Sequence, residues 1–287
     1  MKPQSAVRTM GTMDSHRDTP APLLRLHEAS VVYRDGTVGL APTSIEFGEA
    51  RFTVLLGASG AGKSTLLRSL NGLVPLSVGA VWSADVGTLS RAADWRAHRR
   101  RTGMVFQQHQ LIGRLSVLSN VLTGRIAYGA TWRSLWPASV ADRRIALQAL
   151  DRVGLLEAAL RRVDQLSGGQ QQRVGIARAL AQQPRLLLAD EPVASLDPGT
   201  ATRVLELLHG ICRDAGIAVV VSLHQVELAR RFADRVVGIA AGRVVFDGPP
   251  ARLDDRLLAG LYGSAGARPT TSHPSGPARE TLAAAAS

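Results

Sequence analysis

The chain has 287 residues, 45% hydrophobic and 20% charged, with a formal net charge of +11, proportions that suit a folded globular chain with room for a buried core. One cysteine, Cys212, excludes an internal disulfide, and no apolar run approaches the roughly 20 residues that a membrane-spanning helix needs. The first residues lack the apolar segment of a secretion signal, so a cytoplasmic location is expected. All but two of the 34 basic residues are arginine, the exceptions being Lys2 and Lys63. The main basic run, Arg99, Arg100 and Arg101, reads as a solvated face, with an acidic partner as the alternative.

In chain order, residues 1–22 are polar, contain proline and show no periodicity, and residues 264–287 are similar, so both ends read as disordered tails around one domain at 23–263. Between them, short apolar runs alternate with helical patterns, which predicts an α/β fold with a mainly parallel sheet. FTVLLG (52–57), RLLLAD (185–190) and IAVVVSL (217–223) are the clearest strands, apolar along their length as strands buried on both faces should be. The stretch from about 109 to 165 offers no strand. It includes ADRRIALQALDRVGLLEAAL (141–160), read as one helix of a helical insertion.

The run that follows the first of these strands is GASGAGKST (57–65), which fits G-x-x-x-x-G-K-[ST]. Glycines let the backbone wrap a phosphate chain, and the following helix points its positive N-terminus at the same place. Gly57, Ala58, Ser59, Gly60, Ala61, Gly62 and Thr65 are therefore expected to line the cradle. Lys63 reaches the β- and γ-phosphates and Ser64 ligates Mg²⁺. A compact ammonium suits that place better than a planar guanidinium, which fits a lysine kept in an arginine-rich chain. The strand at 185–190 runs into Asp190 and Glu191. Asp190 suits support of the metal, and Glu191 suits the base for a water aligned with the γ-phosphate. His224, at the end of the third strand, is expected to touch the γ-phosphate.

LSGGQ (166–170), set before that acidic pair, resembles the signature of ABC-transporter ATP-binding subunits over roughly residues 24–250. The resemblance implies a P-loop RecA-like core with a largely parallel sheet, an antiparallel β portion near the N-terminus and an inserted helical subdomain. It also implies that Gln107, rather than its neighbour Gln108, senses Mg²⁺ and contacts the membrane partner, that Asp197 in SLD crosses a dimer interface, and that Tyr33 stacks on adenine. Two such domains pack head to tail in this family, each phosphate loop facing the other's signature. Ser167, Gly168, Gly169 and Gln170, read as lying before a helix that begins near Gln171, are then neutral donors for a γ-phosphate bound by a second copy.

DEPVASLDP (190–198), SLHQV, QLIGRLSVLSNVLTGR (110–125) and TWRSLW (131–136) narrow the resemblance to the ATP-binding subunit of phosphonate importers, with LVPLSVGAVW (73–82) less typical. The implied assembly is a homodimer with permease subunits and an extracytoplasmic solute-binding protein, at the cytoplasmic face of the inner membrane, without nucleic acid. The alternatives are an importer subunit for phosphite, phosphate or an amino acid, and a non-transport ABC ATPase acting on nucleic acid or ribosomes. The latter usually carries two fused ATPase domains or a coiled-coil insertion, and this chain has neither.

Overall fold

A computed structural model describes residues 22–108, 110–128 and 138–263. The expected terminal tails (apart from Pro22) and the TWRSLW segment lie outside the described residues. Ten strands are described: β1 Leu24–Val32, β2 Val38–Phe47, β3 Phe52–Leu56, β4 Val78–Ser83, β5 Gly87–Thr88, β6 Thr102–Val105, β7 Leu186–Ala189, β8 Ala218–Leu223, β9 Arg235–Ala240 and β10 Arg243–Gly248. The helices are α1 Lys63–Leu70, α2 Ala92–Arg101, α3 Val117–Leu122, α4 Val140–Arg152, α5 Gly168–Leu180, α6 Pro198–Ala215, α7 Val226–Phe232 and α8 Asp255–Gly263.

Two sheets form. One has the order β2-β1-β4-β5 and is antiparallel; the other has the order β10-β9-β3-β8-β7-β6. In the second, β6, β7, β8, β3 and β9 run parallel, and only the edge strand β10 is antiparallel. Strands β3, β6, β7 and β8 are buried at every residue. Their side chains divide by parity between two cores, as a pleated strand requires. Val54 and Leu56 join Leu187, Val219 and Val221 on the face covered by α5 and α6, whereas Leu55 joins Leu188 and Val220 beneath the antiparallel sheet. Parallel pairing also fixes the active edge. β3, β7 and β8 all end on one side of the sheet, so residues 57–65, 190–191 and 224 emerge together.

Among the described residues of 110–165 the α-helices are α3 and α4, packed on each other and on α5. The helix expected over 141–160 stops at Arg152. There Leu155 N–H bonds Leu150 C=O (2.9 Å), Gly154 N–H bonds Asp151 C=O (2.9 Å), and Gly154 takes φ +65°. That hydrogen-bond pair is a Schellman stop, and a single 3₁₀ turn, Leu156–Ala158, follows it.

Candidate active site

At two glycines of the phosphate loop, neighbours leave no room for a side chain. A Cβ on Gly57 would lie 2.1 Å from the Ile239 carbonyl oxygen, and one on Gly62 would lie 2.5 Å from that of Gly39. Gly242 N–H donates to Ala61 C=O (2.8 Å) and Gly242 C=O accepts from Ala41 N–H (2.8 Å), so both sheets brace the loop. Gly62 caps α1 in a left-handed conformation with no side-chain acceptor, and the first turn holds no acidic residue. The N–H groups of that turn are thus left for an external anion. Ser59 and Gly60 form the exposed crest of the loop, Ala58 is half-buried, and Ala61 and Thr65 are buried beneath it.

Lys63 is only 3% exposed. Its ammonium donates to the carbonyls of Gly57 (2.8 Å) and Ala58 (2.9 Å) and lies 3.4 Å from His224 Nδ1. Burial lowers its pKa below the ordinary 10.5, against the opposing pull of Glu191 and Asp190. Asp190 is buried and fully engaged. Its Oδ1 accepts from Ser64 Oγ (2.7 Å) and Ser222 Oγ (3.2 Å), and its Oδ2 from Arg68 Nε (3.1 Å) and a terminal Arg68 nitrogen (2.9 Å). Glu191 takes φ +46°, a left-handed conformation that costs a non-glycine residue on the order of 1–3 kcal/mol. Its N–H donates to Ser222 Oγ (2.8 Å), and its Oε1 lies 2.5 Å from His224 Nε2. A carboxylate can only accept and an ammonium can only donate, so the ring carries its proton on Nε2 and accepts at Nδ1. The result is a continuous chain Lys63–His224–Glu191, with Asp190 and Ser64 beside it.

The other expected residues are not all drawn into this cluster. Tyr33 follows β1 with 41% of its surface exposed; its ring covers Gly39 and its hydroxyl lies 2.8 Å from Thr65 Oγ1. Gln107 is exposed just past the end of β6 and makes no hydrogen bond to the described carboxylates. Asp197 caps α6, with Oδ1 accepting from Thr200 N–H (3.0 Å), and these Thr200 contacts hold its carboxyl below the usual 3.8.

The signature corrects one expectation: α5 begins at Gly168, not near Gln171. Ser167 is its N-cap. Ser167 Oγ accepts from Gln170 N–H (3.3 Å), and Gln170 Oε1 accepts from Ser167 N–H (3.0 Å), a reciprocal capping box. Gln171 turns inward to Leu166 C=O (3.1 Å) and Gln172 is buried. The two glycines differ as well. A Cβ on Gly168 would meet nothing closer than 3.9 Å, whereas on Gly169 it would lie 2.4 Å from Thr200 Cγ2. Gly168 has room for a methyl group and Gly169 is a packing requirement. The segment borders a cleft of about 400 Å³ lined by Ser167, Gln170, Arg173, Thr200 and Arg203 among others.

Sequence reading missed Arg68, Ser222 and Tyr262. Arg68 lies four residues beyond Ser64, on the same face of α1, so its approach to Asp190 was foreseeable once Ser64 was placed. Ser222 stands in the quoted SLHQ string, but its bonds to both carboxylate-bearing residues emerge only from strand pairing. Tyr262, on α8, donates to His224 C=O (2.8 Å) across 38 positions of sequence.

This combination of loop, carboxylates and capped signature on a mainly parallel sheet matches a known class. A family model described as ABC transporter covers residues 40–194. The phosphite import ATP-binding protein PxtA of Stutzerimonas stutzeri is 58% identical over 264 residues, 91% of this chain and 94% of that protein. The phosphonates import ATP-binding protein PhnC 3 of Nostoc is 56% identical over 243 residues, 85% and 93% of the two chains. Among solved structures, the ATP-binding cassette MJ0796, a dimer in a post-hydrolysis state bound to ADP and Pi, superposes with a TM-score of 0.69 at 32% identity, covering 79% of this chain and 98% of that one. Part of a cbiONQ transporter complex, cbiO1 of Clostridium perfringens, gives a TM-score of 0.71 at 28% identity, with 80% and 89% covered. This chain belongs to the ABC transporter family and folds as one of its ATPase cassettes.

Proposed function

We propose that this chain is the ATP-binding and hydrolysing subunit of a membrane importer for phosphonates, or for the closely related anion phosphite. The observation that carries the ATPase reading is the convergence of Lys63, Ser64, Asp190, Glu191 and His224 at one sheet edge, beside an uncapped helix N-terminus. The anion class rests on the relatives named above.

The residues fit ATP with Mg²⁺. The cradle is closed to a side chain at Gly57 and Gly62, its lysine is buried within reach of the loop carbonyls, and Ser64 Oγ and Asp190 Oδ1 form a hard oxygen pair. Among the described residues no three acidic, histidine or cysteine side chains cluster as a self-sufficient metal site. That suits an ion held by one or two protein oxygens together with substrate phosphates. Ser64 and Asp190 would hold it, and it would supply neutralisation of the phosphate charge. Lys63 exchanges its loop carbonyls for phosphate oxygens. Glu191 accepts a proton from the attacking water, and His224 then donates through Nε2–H to the γ-phosphate instead of to Glu191. Tyr33 offers its ring face to the base. Gln107, exposed beside this edge, links the site to the permease and to the metal. Ser167, Gly168, Gly169, Gln170 and Asp197 serve a second copy, giving two composite sites in a homodimer.

Closure of that dimer around ATP and its opening after hydrolysis drive the permease at the cytoplasmic face of the inner membrane. The anion itself is delivered by an extracytoplasmic binding protein and does not touch this subunit. The test is uptake into vesicles containing the whole complex. ATP-dependent accumulation of a phosphonate or of phosphite, abolished by Glu191→Gln with ATP still bound, is expected. Accumulation of neither anion, with intact ATPase activity, refutes the assignment of cargo.

A further inference from the structure

We infer that Tyr262 is a positioning residue for His224, and that α8 is a strut setting the reach of that histidine into the active site. The inference rests on the proposed role of His224 at the γ-phosphate.

His224 sits on a bend between β8 and α7, where sheet pairing has ended, so its main chain needs another anchor. Tyr262 supplies one, donating its hydroxyl to the His224 carbonyl oxygen at 2.8 Å. A bond to that carbonyl fixes a peptide plane adjoining His224 and restrains the direction in which its side chain leaves the main chain. The ring so aimed meets Glu191 through Nε2 at 2.5 Å and Lys63 through Nδ1 at 3.4 Å. Displacement by an ångström would break both contacts.

The strut is itself held along its length. Asp254 caps the start of α8, accepting from Leu257 N–H through its side chain (2.8 Å) and from Leu258 N–H through its carbonyl (3.0 Å). Arg230, on α7, donates to Leu253 C=O at 2.9 Å, which ties the approach to α8 to the helix following His224. Leu261 is fully buried against Gly238 of β9, where even a methyl group would come within 2.9 Å of it. Burial and the nearby Glu227 push the Tyr262 phenol up to about 12, so the donor keeps its proton throughout the working range of pH.

The experiment is a double-mutant cycle in the full-length chain, read by single-turnover ATP hydrolysis with protein in excess so that low rates remain measurable. Tyr262→Phe keeps the ring and removes only the donor. Its hydrolysis rate is expected to fall about fivefold, the scale of one neutral hydrogen bond, with ATP affinity and thermal midpoint nearly unchanged. In a His224→Ala background the same change should have no further effect, because the residue it positions is gone. Equal fold-losses in both backgrounds would mean that Tyr262 merely supports the fold, and no loss in either would also overturn the inference. His224→Ala with undiminished hydrolysis is a different failure: it removes the reading of His224 on which the strut depends.

Discussion

The phosphate-loop edge and the signature segment are built on opposite plans. At the loop edge, every charged group expected to do chemistry already has a partner in its own chain: Lys63 on two carbonyls, Asp190 on two hydroxyls and a guanidinium, Glu191 on His224. At the signature, the capping box satisfies only the helix end, Gly168 is exposed, and no described hydrogen bond ties residues 167–170 to the loop at 57–65. Groups that are buried and charged must be paired to be tolerable at all. An exposed and neutral helix start carries no such requirement, so it can wait for a ligand supplied from elsewhere. The first region is held in register within its own chain, and the second, on the proposed reading, is a surface for a second copy.

The largest effects should come from chemistry at the inner region and from charge at the outer one. Glu191→Gln is expected to lower turnover by roughly 10²- to 10⁴-fold, the usual contribution of a general base, while fluorescent-nucleotide binding persists. Unchanged turnover would remove Glu191 from its role. Gly168→Asp should reduce turnover comparably by placing a carboxylate where a γ-phosphate approaches. An acidic residue in the first turn of a helix is compatible with its dipole, so the melting temperature should hold. A collapsed fold in that variant would show Gly168 to be structural after all.

Smaller effects separate the two glycines. Gly169→Ala should cost about 1–3 kcal/mol in urea unfolding, because its methyl group meets Thr200, and Thr200→Ala should recover much of the loss. No coupling between the two changes would mean that the clash is relieved elsewhere. Ser222→Ala strands the Glu191 N–H and leaves Asp190 Oδ1 with Ser64 as its one remaining hydroxyl donor, with an expected stability loss of about 1–3 kcal/mol. Unfolding like that of the unsubstituted chain would show that Ser222 does not hold the inner region together.

The smallest expected effect is at Asp197. Thr200 lowers its folded pKa relative to the unfolded value, so the stabilisation is complete above about pH 3.8 and is lost as pH falls through the folded value. Asp197→Asn should therefore flatten a shallow acid limb in a pH series of melting temperatures, and an unaltered limb would show the cap to be silent.

How much of this was readable in the sequence follows the range of each interaction. The loop, the acidic pair and the histidine were readable because each is a local string ending a strand, and the parallel order of β3, β8 and β7 brings strand ends together without further information. Ser222 and Tyr262 were not, since their partners lie 31 and 38 positions away, whereas Arg68 follows from its place one turn beyond Ser64. The start of α5 was misplaced because S-x-x-Q was read as a row of donors for a ligand. Half of that hydrogen bonding is the helix capping itself. Gly154, in the middle of a helical pattern, carried the stop signal that divides 141–160, but an isolated glycine does not announce the Schellman geometry in advance.

The central claim, that each site joins one chain's loop to another chain's signature, is tested most directly by mixing two inactive variants. Lys63→Ala and Gly168→Asp chains are each expected to be inactive alone. Mixed in equal amounts, about half the dimers are hybrid, and each hybrid has one composite site with both loop and signature intact. Recovery of up to about a quarter of wild-type ATPase activity is the predicted result. If loop and signature instead act within one chain, every subunit in the mixture is defective and no activity returns, which would contradict the account.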